Sequence, residues 1–408
     1  MPPDVRVLVV DDSVIIRKAV SDALGLVSGV EVVGTASNGK IALEKVEALK
    51  PDVMVLDIEM PVATGFDVLR GMKKKRLHVR TIMFSTLTSR GASQTLEALS
   101  LGAHDYISKP TATSEGYRDN LRRVADELGP KIKQFRPMAP RRPLRQIKPK
   151  SAPVASTGNG RSLNAKALSP TTPIEKKPSV LPKVSGVRLK NGVSPQVVAI
   201  GISTGGPDAL AKLMPTFSKD FPLPIVIVQH MPPLFTKLLA ERLDGMSKIK
   251  IVEAVEGMLL ESGVAYIAPG DNHLVVKNRL GRVVLALNRN AAENSCRPSA
   301  DVLFRSVAEV YGNRALGVIM TGMGQDGFKG CQVMKKKGAQ IIAQDEATSV
   351  VWGMPSYVVH DGLADTVLPL EELGEMIEKT CQKKQDGKPP RSSATRLSNL
   401  SHLRKRSL

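Results

Sequence analysis

Short apolar runs alternate with amphipathic stretches along the first 125 residues of the chain. The apolar runs are rich in β-branched residues, as strands are. They lie at Val5–Val10, Val30–Ala36, Val53–Leu56, Thr81–Ser85 and Asp105–Ser108. Between them, stretches such as Val14–Leu26 and Lys40–Leu49 carry apolar residues at helical spacing. Strands that alternate with helices predict a doubly wound parallel sheet, which is an α/β fold.

The same alternation returns at Gln196. The strands predicted in this second region are Val197–Ile200, Ile225–Val228, Val264–Ile267, Val275–Leu287, Ala315–Met320 and Ala339–Ala343. The helices predicted between them are Asp208–Met214, Pro233–Asp244, Ala300–Tyr311 and Gly327–Lys337. The pattern therefore predicts a second α/β domain with a parallel sheet.

Residues 131–190 show neither a helical nor a strand period. They hold nine prolines, and fifteen Lys/Arg against one Glu, a composition that buries too little apolar surface to offset the entropy lost on ordering. Residues 382–408 are also polar and basic. We therefore predict one domain at 1–125, a flexible basic linker at 126–195, a second domain at 196–381 and a disordered basic tail at 382–408.

The formal charge of the chain is +19, and the linker and tail account for all of it. The two domains together are slightly acidic, so the charge indicates weak attraction to anionic membrane surfaces or acidic partners rather than a basic face on either domain. Aromatic residues make up 3% of the chain and we find no helix-turn-helix pattern. No specific nucleic-acid partner is therefore predicted.

The cysteines Cys296, Cys331 and Cys381 are widely spaced and form no CxxC pair. This odd, sparse set favours free thiols in a reducing compartment over disulfides or a zinc site. The first residues lack the pattern of a signal peptide, and no apolar run approaches the roughly 18 residues that a membrane span needs. We expect a soluble cytoplasmic protein.

Acidic, hydroxyl and lysine side chains follow the strands of the first domain. Asp11 and Asp12 come after the first strand, Asp57 after the third, Ser85 closes the fourth and Lys109 follows the fifth. The carboxyl ends of parallel strands gather at one edge of a sheet. Three carboxylates there need a cation, and their hard oxygen ligands suit Mg²⁺. A carboxylate beside Mg²⁺, a lysine and a hydroxyl can accept a phosphoryl group.

The second domain places a serine, a histidine and an aspartate after strands of its own. Ser203 lies in a G-x-S-x-G turn before a helix, His230 closes the next apolar run, and Asp326 follows a later one. These residue types can act as nucleophile, base and orienting carboxylate. The glycine-rich turn also suits a phosphate-binding loop, although it lacks the G-x-G-x-x-G spacing. His273 and His360 rank second and third as candidates for the base.

Residues 4–125 resemble the receiver domain of two-component response regulators. The resemblance implies a flavodoxin-like fold, Asp57 as the phospho-acceptor, and a chemotaxis histidine kinase as phosphodonor. The residues it assigns to Mg²⁺ are Asp11, Asp12, Asp57 and, through its backbone carbonyl, Glu59. Ser85 is then the switch hydroxyl and Lys109 the phosphate-binding lysine. One departure is the Ala63-Thr64-Gly65 sequence, where receivers usually carry Met-Asp-Gly.

Several motifs of the second domain occur in a fixed order: GISTGGP, QHMPP, IAPGDNHL, RPSADVLF, TGMGQDG and VVWGMP. Together they resemble the catalytic domain of chemotaxis protein-glutamate methylesterases, the CheB family, over roughly residues 195–380. The resemblance implies a Rossmann-like fold and cofactor-free hydrolysis of glutamyl methyl esters on chemoreceptors, with deamidation of glutamines there. The residues it assigns are Ser203 as nucleophile, His230 as base, Asp326 as orienter, the Met323 amide in the oxyanion hole, and Thr204 and Arg297 in the cleft.

The two resemblances together imply a phosphorylation-regulated esterase that adapts chemotaxis signalling. An unphosphorylated receiver is then expected to cover the catalytic cleft. The rival interpretations are a response regulator whose basic segments bind nucleic acid, and a non-enzymatic scaffold. Salt-dependent retention on DNA without esterase activity would favour the first rival, and absence of both properties would favour the second.

Overall fold

A computed structural model describes residues 4–86, 88–109, 117–135 and 193–381. These residues form two α/β domains. Most of the predicted linker, and the whole of the predicted tail at 382–408, lie outside the described residues. Within the described ranges, no helix has the length and apolar character needed to cross a membrane.

The N-terminal domain is a parallel sheet with helices on both faces. Its strands are β1 Val5–Val10, β2 Val30–Ala36, β3 Val53–Asp57, β4 Arg80–Ser85 and β5 Asp105–Ser108. Its helices are α1 Val14–Gly25, α2 Gly39–Leu49, α3 Gly65–Lys75, α4 Ser89–Ser100 and α5 Tyr117–Lys133. The strand order is β2-β1-β3-β4-β5, which is the flavodoxin-like order. The predicted fold of this domain is confirmed.

Helix α5 carries the N-terminal domain past the boundary predicted at residue 125. Leu128 and Ile132 are fully buried in the core of this domain, and Phe135 is buried beyond the end of the helix. Lys131 and Lys133, which we counted with the basic linker, lie on this helix. The prediction was wrong here because a charge count over a long window hid the helical spacing of the buried residues.

The C-terminal domain contains nine strands and six α-helices among its described residues. Its strands are β6 Val197–Ile202, β7 Ile225–Gln229, β8 Lys250–Glu253, β9 Val264–Ile267, β10 His273–Arg279, β11 Arg282–Asn288, β12 Ala315–Ile319, β13 Gln340–Gln344 and β14 Thr366–Leu368. Its helices are α6 Gly206–Leu213, α7 Phe235–Asp244, α8 Ala300–Tyr311, α9 Phe328–Lys336, α10 Met354–His360 and α11 Leu370–Cys381.

Seven of these strands form one parallel sheet with the order β14-β13-β12-β6-β7-β9-β8. β6 lies at the centre between β12 and β7, and all three are fully buried runs. Because they are parallel neighbours, the loops that follow them meet at one edge of the sheet. The predicted doubly wound, Rossmann-like architecture of this domain is confirmed.

The single strand predicted at Val275–Leu287 is wrong, because this region forms the antiparallel hairpin β10–β11. The chain reverses at Leu280 and Gly281, which have φ angles of 51° and 81°, as a two-residue type I′ turn requires. Leu280 is fully exposed at the tip. Leucine is uncommon at positive φ. Of the two turn residues, only Gly281 is therefore typical of a type I′ turn.

The two domains pack directly against each other. Helix α4 of the N-terminal domain contacts α6 and α7. The ring of Tyr106 in β5 stacks on Phe235, with centroids 4.8 Å apart and planes inclined by 7°. Val351 of the C-terminal domain joins the apolar cluster of the N-terminal one. The loop edge of the C-terminal sheet therefore lies beneath the N-terminal domain.

Candidate active site

Ser203 directly follows β6, where the chain turns into α6. Gly205 has a φ of 78° in this turn, a conformation that glycine adopts without strain. The Gly206 N–H donates to the Ser203 carbonyl at 2.7 Å and so closes the turn. Ser203 lines a cleft of about 240 Å³ together with His230 and Asp326. The structure thus brings the three predicted strand-end residues to one cavity.

His230 follows β7 and is bonded through both ring nitrogens. Its Nε2 lies 2.8 Å from Asp326 Oδ2, and its Nδ1 lies 3.5 Å from Cys296 Sγ. Burial alone would lower the pKa of His230, but the hydrogen bonds with Asp326 and Cys296 raise it to about 10. Because Asp326 occupies Nε2, the ring nitrogen left for a nucleophile is Nδ1. In this arrangement of the described residues, Ser203 Oγ makes no hydrogen bond to His230.

Asp326 accepts more hydrogen bonds than orienting one imidazole requires. The additional donors are Asn294 Nδ2 at 2.9 Å, Ser299 Oγ at 2.7 Å, and the backbone N–H groups of Ala300 at 2.6 Å and Asp301 at 3.2 Å. The two backbone donors belong to the first turn of α8, the positive end of its dipole. Burial would raise the pKa of Asp326, but the hydrogen bonds with His230, Ser299 and Ala300 lower it to about 2. The carboxylate is therefore held ionised.

Sequence reasoning missed Asn294, Ser299 and Cys296 as neighbours of the site. Asn294 has a φ of 52° and its amide bridges Asp326 and Asp301. We had taken Cys296 only as a free thiol. The one signal that could have found Ser299 is its position at the N-terminal end of a predicted helix, where hydroxyl residues commonly cap.

The loop that contains Met323 lies against the turn that contains Ser203. The Ser203 N–H donates to the Thr321 carbonyl at 2.9 Å, and a Cβ on Gly322 would come within 2.7 Å of Ser203 Cβ. Met323 follows and lines the same cleft, with its side chain partly exposed. Its amide is therefore near Ser203, while its role in an oxyanion hole stays a prediction.

The resemblance assigned Thr204 and Arg297 to the cleft. Thr204 lines the cleft with Ser203, and Arg297 lies in a neighbouring cavity. Thr204 is buried, and its Oγ1 donates to Asp105 Oδ2 of the N-terminal domain at 3.0 Å. The Arg297 guanidinium contacts Asp271 Oδ1 through Nη2 at 2.5 Å and Nε at 2.9 Å. Arg297 also borders a neighbouring cavity beside His230, likewise of about 240 Å³, but its charge is already paired. Arg297 therefore stabilises the local loop structure through Asp271 and does not present an unpaired positive charge.

The rival histidines do not line the cleft with Ser203. His273 is fully buried, where its Nδ1 accepts the Ser299 N–H at 3.2 Å and its Nε2 donates to the Ala291 carbonyl at 3.0 Å. His360 packs edge-on against Trp352 at the end of α10. Of the three candidate histidines, His230 is therefore the one whose position suits a base.

The N-terminal domain covers the cleft through the first residues of β5 and the end of α5. Asp105 is buried and pairs with Lys131 Nζ at 2.8 Å through Oδ1, while its Oδ2 accepts from Thr204. Leu99 and Tyr106 line the same cavity as Ser203. The N-terminal domain therefore forms part of the wall of the cleft that contains Ser203.

A second polar site lies at the carboxyl edge of the N-terminal sheet. Lys109 Nζ lies 2.8 Å from Asp57 Oδ2 and 2.9 Å from Asp11 Oδ2. Asp11, Asp12 and Asp57 offer carboxylate oxygens within 4.8 Å of one another. Burial raises the pKa of Asp57 to about 6, although Lys109 opposes the rise. Three hard oxygen donors this close together suit Mg²⁺.

The remaining predicted residues of this site make local contacts. Ser85 Oγ donates to the Gly91 carbonyl at 3.1 Å rather than to Asp57. The Glu59 carboxylate is 3.1 Å from both Arg90 and Gln94, so the carboxylate is already paired and the predicted ligand remains the backbone carbonyl.

The departure at Ala63-Thr64-Gly65 leaves the local structure intact. Thr64 caps α3 in a reciprocal capping box with Asp67, a task that aspartate or threonine can perform. A Cβ on Gly65 would come within 2.3 Å of the Asp57 carbonyl oxygen. Gly65, which this chain shares with other receivers, is therefore the residue of this motif that the close approach to Asp57 requires.

Comparison with known proteins assigns both domains. The family model for the CheB methylesterase matches residues 198–377, and that for the response regulator receiver domain matches residues 7–118. A protein-glutamate methylesterase/protein-glutamine glutaminase of Trichodesmium erythraeum is 42% identical over 92% of this chain and 98% of its own. A relative with the same name from Nocardioides sp. is 44% identical over 92% of this chain and 95% of its own.

Two solved structures from Thermotoga maritima also match. The CheB methylesterase catalytic domain is 45% identical and covers 46% of this chain and 99% of its own, with a TM-score of 0.45. The response regulator domain of CheB is 44% identical and covers 34% of this chain and 99% of its own, with a TM-score of 0.29. With relatives above 40% identity that span nearly its whole length, this chain belongs to the CheB family of protein-glutamate methylesterases/protein-glutamine glutaminases, response regulators with a hydrolase output domain.

Proposed function

We propose that this protein hydrolyses glutamyl methyl esters on chemoreceptors, and deamidates glutamines there, through Ser203, His230 and Asp326. The observation that carries the proposal is the cleft lined by these three residues, in which the imidazole and the carboxylate are 2.8 Å apart. The family assignment supports the choice of substrate, because the relatives are named for these two activities.

In the proposed mechanism, Ser203 Oγ attacks the ester carbonyl carbon while His230 Nδ1 takes its proton. The tetrahedral intermediate collapses when the C–O bond to the methoxy group breaks, and the imidazolium returns the proton to release methanol. Water then attacks the glutamyl-enzyme with the same histidine as base, which frees glutamate and restores the serine. With glutamine as substrate, the leaving group is ammonia.

The contacts around His230 define what must change before this reaction starts. Nδ1 faces Cys296 Sγ at 3.5 Å in the covered cleft, so Ser203 has to take the place of the thiol as the partner of Nδ1. Asp326 keeps Nε2 and fixes the ring. The developing oxyanion is assigned to the Met323 amide and to the positive end of α6.

The decisive assay is methanol release from membranes that carry methylated receptor, with and without a phosphodonor such as acetyl phosphate. We expect release that rises on phosphorylation. Absence of release under both conditions would contradict the proposed function.

Regulation is assigned to the receiver domain. A chemotaxis histidine kinase is the proposed phosphodonor, and Asp57 is the proposed acceptor beside Lys109. When bound by Asp11, Asp12, Asp57 and the Glu59 carbonyl, Mg²⁺ would neutralise charge on the phosphoryl group. Lys109 would contribute the second positive charge from its place 2.8 Å from Asp57 Oδ2. Phosphorylation then favours an open form in which the cleft is free.

Asp105→Ala is expected to raise the activity of the unphosphorylated protein by about tenfold or more, up to the phosphorylated level. The change removes the contact with Thr204 and leaves Lys131 without the carboxylate it now pairs with. A charge-assisted hydrogen bond of this kind contributes about 1.5–3 kcal/mol, which weights the closed form. The measurement is methanol release without phosphodonor.

Glu97→Ala serves as the matched control for Asp105→Ala. Glu97 is an acidic residue of the same domain whose contact is an exposed pair with Arg70, so its loss should leave basal release unchanged. Equal basal rates in Asp105→Ala and wild type would argue that this contact does not hold the domains closed.

Cys296→Ala is expected to move the acid limb of the pH profile of kcat/KM to lower pH, by about one pH unit. His230 accepts a proton only as neutral imidazole, so activity rises with pH through its pKa. The Cys296 contact raises that pKa, and its removal lowers it. The other titratable groups around the ring are His104, Asp105, Tyr106, Glu127, Lys131, Arg297 and Asp326.

The profile is measured on acetyl phosphate-activated protein. Cys381→Ala is the control. This thiol is buried in α11, so its removal should not shift the acid limb of the pH profile. A limb that is unchanged in Cys296→Ala would show that the thiol does not influence the base.

A further inference from the structure

Gln229 is the last residue of β7 and directly precedes His230. It is 2% exposed. Its side-chain Nε2 donates to the backbone carbonyl of Ser203 at 3.0 Å and to that of His230 at 3.3 Å. One amide group therefore touches both the turn that carries the nucleophile and the turn that carries the base.

The hydrogen-bonded pairing of β6 with β7 ends immediately before these two turns. Ile202 and Gln229 are the last paired residues of β6 and β7, and the final bond between the strands runs from the His230 N–H to the Ile202 carbonyl at 3.3 Å. Beyond this pair the chain leaves in two directions, towards α6 and towards α7. The separation of Ser203 from His230 is therefore set by contacts between the two turns, beyond the last paired residues of β6 and β7.

The other end of the amide occupies space that a glycine leaves open. A Cβ on Gly206 would lie 1.8 Å from Gln229 Oε1, so no larger residue fits there with the amide in place. Among the described residues, this buried Oε1 has no hydrogen-bond partner. An unpaired buried acceptor costs folding free energy, so a stability role alone would favour an apolar side chain at this position.

We propose that Gln229 is a positioning residue of the esterase, whose amide holds the Ser203 turn and the His230 turn at their working separation. Gly206 is the residue that makes room for it. This inference rests on the proposed function of Ser203 and His230. It predicts a defect in the chemical step rather than in substrate binding, because neither donated bond involves the substrate.

The test replaces Gln229 by methionine, which has nearly the same length and no N–H donor. In the full-length, acetyl phosphate-activated protein, kcat for methanol release should fall by about 10²-fold, the effect of a displacement of about 1 Å in a catalytic group. KM should stay within about twofold. A kcat within about twofold of wild type would overturn the proposal, and so would a loss confined to KM.

Gly206→Ala gives a second route to the same displacement and keeps every donor in place. It should also lower kcat, because its Cβ pushes the amide away. The double variant should lose no more than the worse single variant, since both changes break the same tie. Additive losses would show that the two residues act separately.

Tyr266→Phe is the structural control. The Tyr266 hydroxyl ties the Leu259 carbonyl and the Glu261 N–H at 2.9 and 3.1 Å, so its loss also removes two bonds to a turn of the same domain, outside the cleft. It should leave kcat unchanged even if the melting temperature falls. A kcat loss equal to that of Gln229→Met would mean that general loosening explains the defect.

The NMR signals of the His230 ring separate this inference from the proposed function. If wild type released no methanol, the esterase assignment would fail. The ring signals would still move in Gln229→Met and Gly206→Ala, and not in Tyr266→Phe, if the amide positions the base. Unmoved ring signals in both variants would overturn the inference, whatever the activity.

Discussion

Replacing Ser203 by alanine is expected to lower kcat for methanol release by about 10⁴–10⁶-fold. Alanine removes the oxygen that forms the glutamyl-enzyme, so the covalent intermediate cannot form. The measurement is methanol release from methylated receptor membranes in the presence of acetyl phosphate. The melting temperature should stay near that of wild type, because Ser203 Oγ makes no hydrogen bond to the histidine in the covered cleft.

Ser247→Ala is the matched control for the loss of a hydroxyl. Ser247 Oγ is buried without a partner among the described residues, so this change removes no hydrogen bond, and it lies outside the cleft. Its kcat should equal that of wild type. Methanol release by Ser203→Ala at a rate near wild type would eliminate Ser203 as the nucleophile.

Asp326→Asn is expected to lower kcat by about 10⁴-fold, as for the orienting carboxylate of other triads. The amide cannot accept from all the groups that now donate to Asp326, and its own N–H₂ would face one of those donors. If that donor is His230, the ring loses the tautomer that leaves Nδ1 free. The measurements are kcat and the melting temperature, which should also fall.

Asp301→Asn provides the comparison that separates catalysis from stability. Asp301 is buried, shares the Asn294 amide with Asp326 and accepts the Gly330 N–H at 2.6 Å, yet it has no contact with His230. It should reduce the melting temperature while kcat changes by less than about tenfold. Equal kcat losses in the two variants would mean that the whole acidic network, and not Asp326 in particular, supports the reaction.

The parts of the site that follow strands could be predicted from the sequence. Ser203, His230 and Asp326 each come after an apolar run, and the carboxyl ends of neighbouring parallel strands must meet. The same argument predicted the cluster of Asp11 and Asp57. Parallel pairing turns positions far apart in the chain into neighbours, so residue type and strand position were enough.

The residues that tune the site follow no such rule. Asn294 reaches Asp326 because the loop takes a left-handed turn at φ 52°, and nothing in the residues around it has a period. Gln229 lies just beyond the predicted strand Ile225–Val228, and its amide fits there only because Gly206 is opposite. These contacts depend on how loops pack, which hydrophobic periodicity does not encode.

The cover of the cleft by the receiver was expected, but the residues that make the contact between the domains could not be predicted, for a different reason. Thr204 was assigned to the cleft by resemblance, and Asp105 was taken only as the start of a strand. Their bond at 3.0 Å arises from the docking of two surfaces that each fold on their own sequence pattern. The resemblance also assigned Arg297 to the cleft, and its ion pair with Asp271, 26 residues away in the chain, could not be predicted from the sequence.

Strand β5 connects the two proposed sites of this protein through a short stretch of chain. Asp105, its first residue, contacts Thr204 beside Ser203, and Lys109, which follows its last residue, contacts Asp57. The Asp57 site and the Ser203 cleft are thus joined by four residues of extended backbone, about 13 Å of chain. No loop lies between these two contacts. If Asp57 is phosphorylated, as we propose, a movement of Lys109 towards the phosphoryl group would be transmitted along this strand to the contact between Asp105 and Thr204.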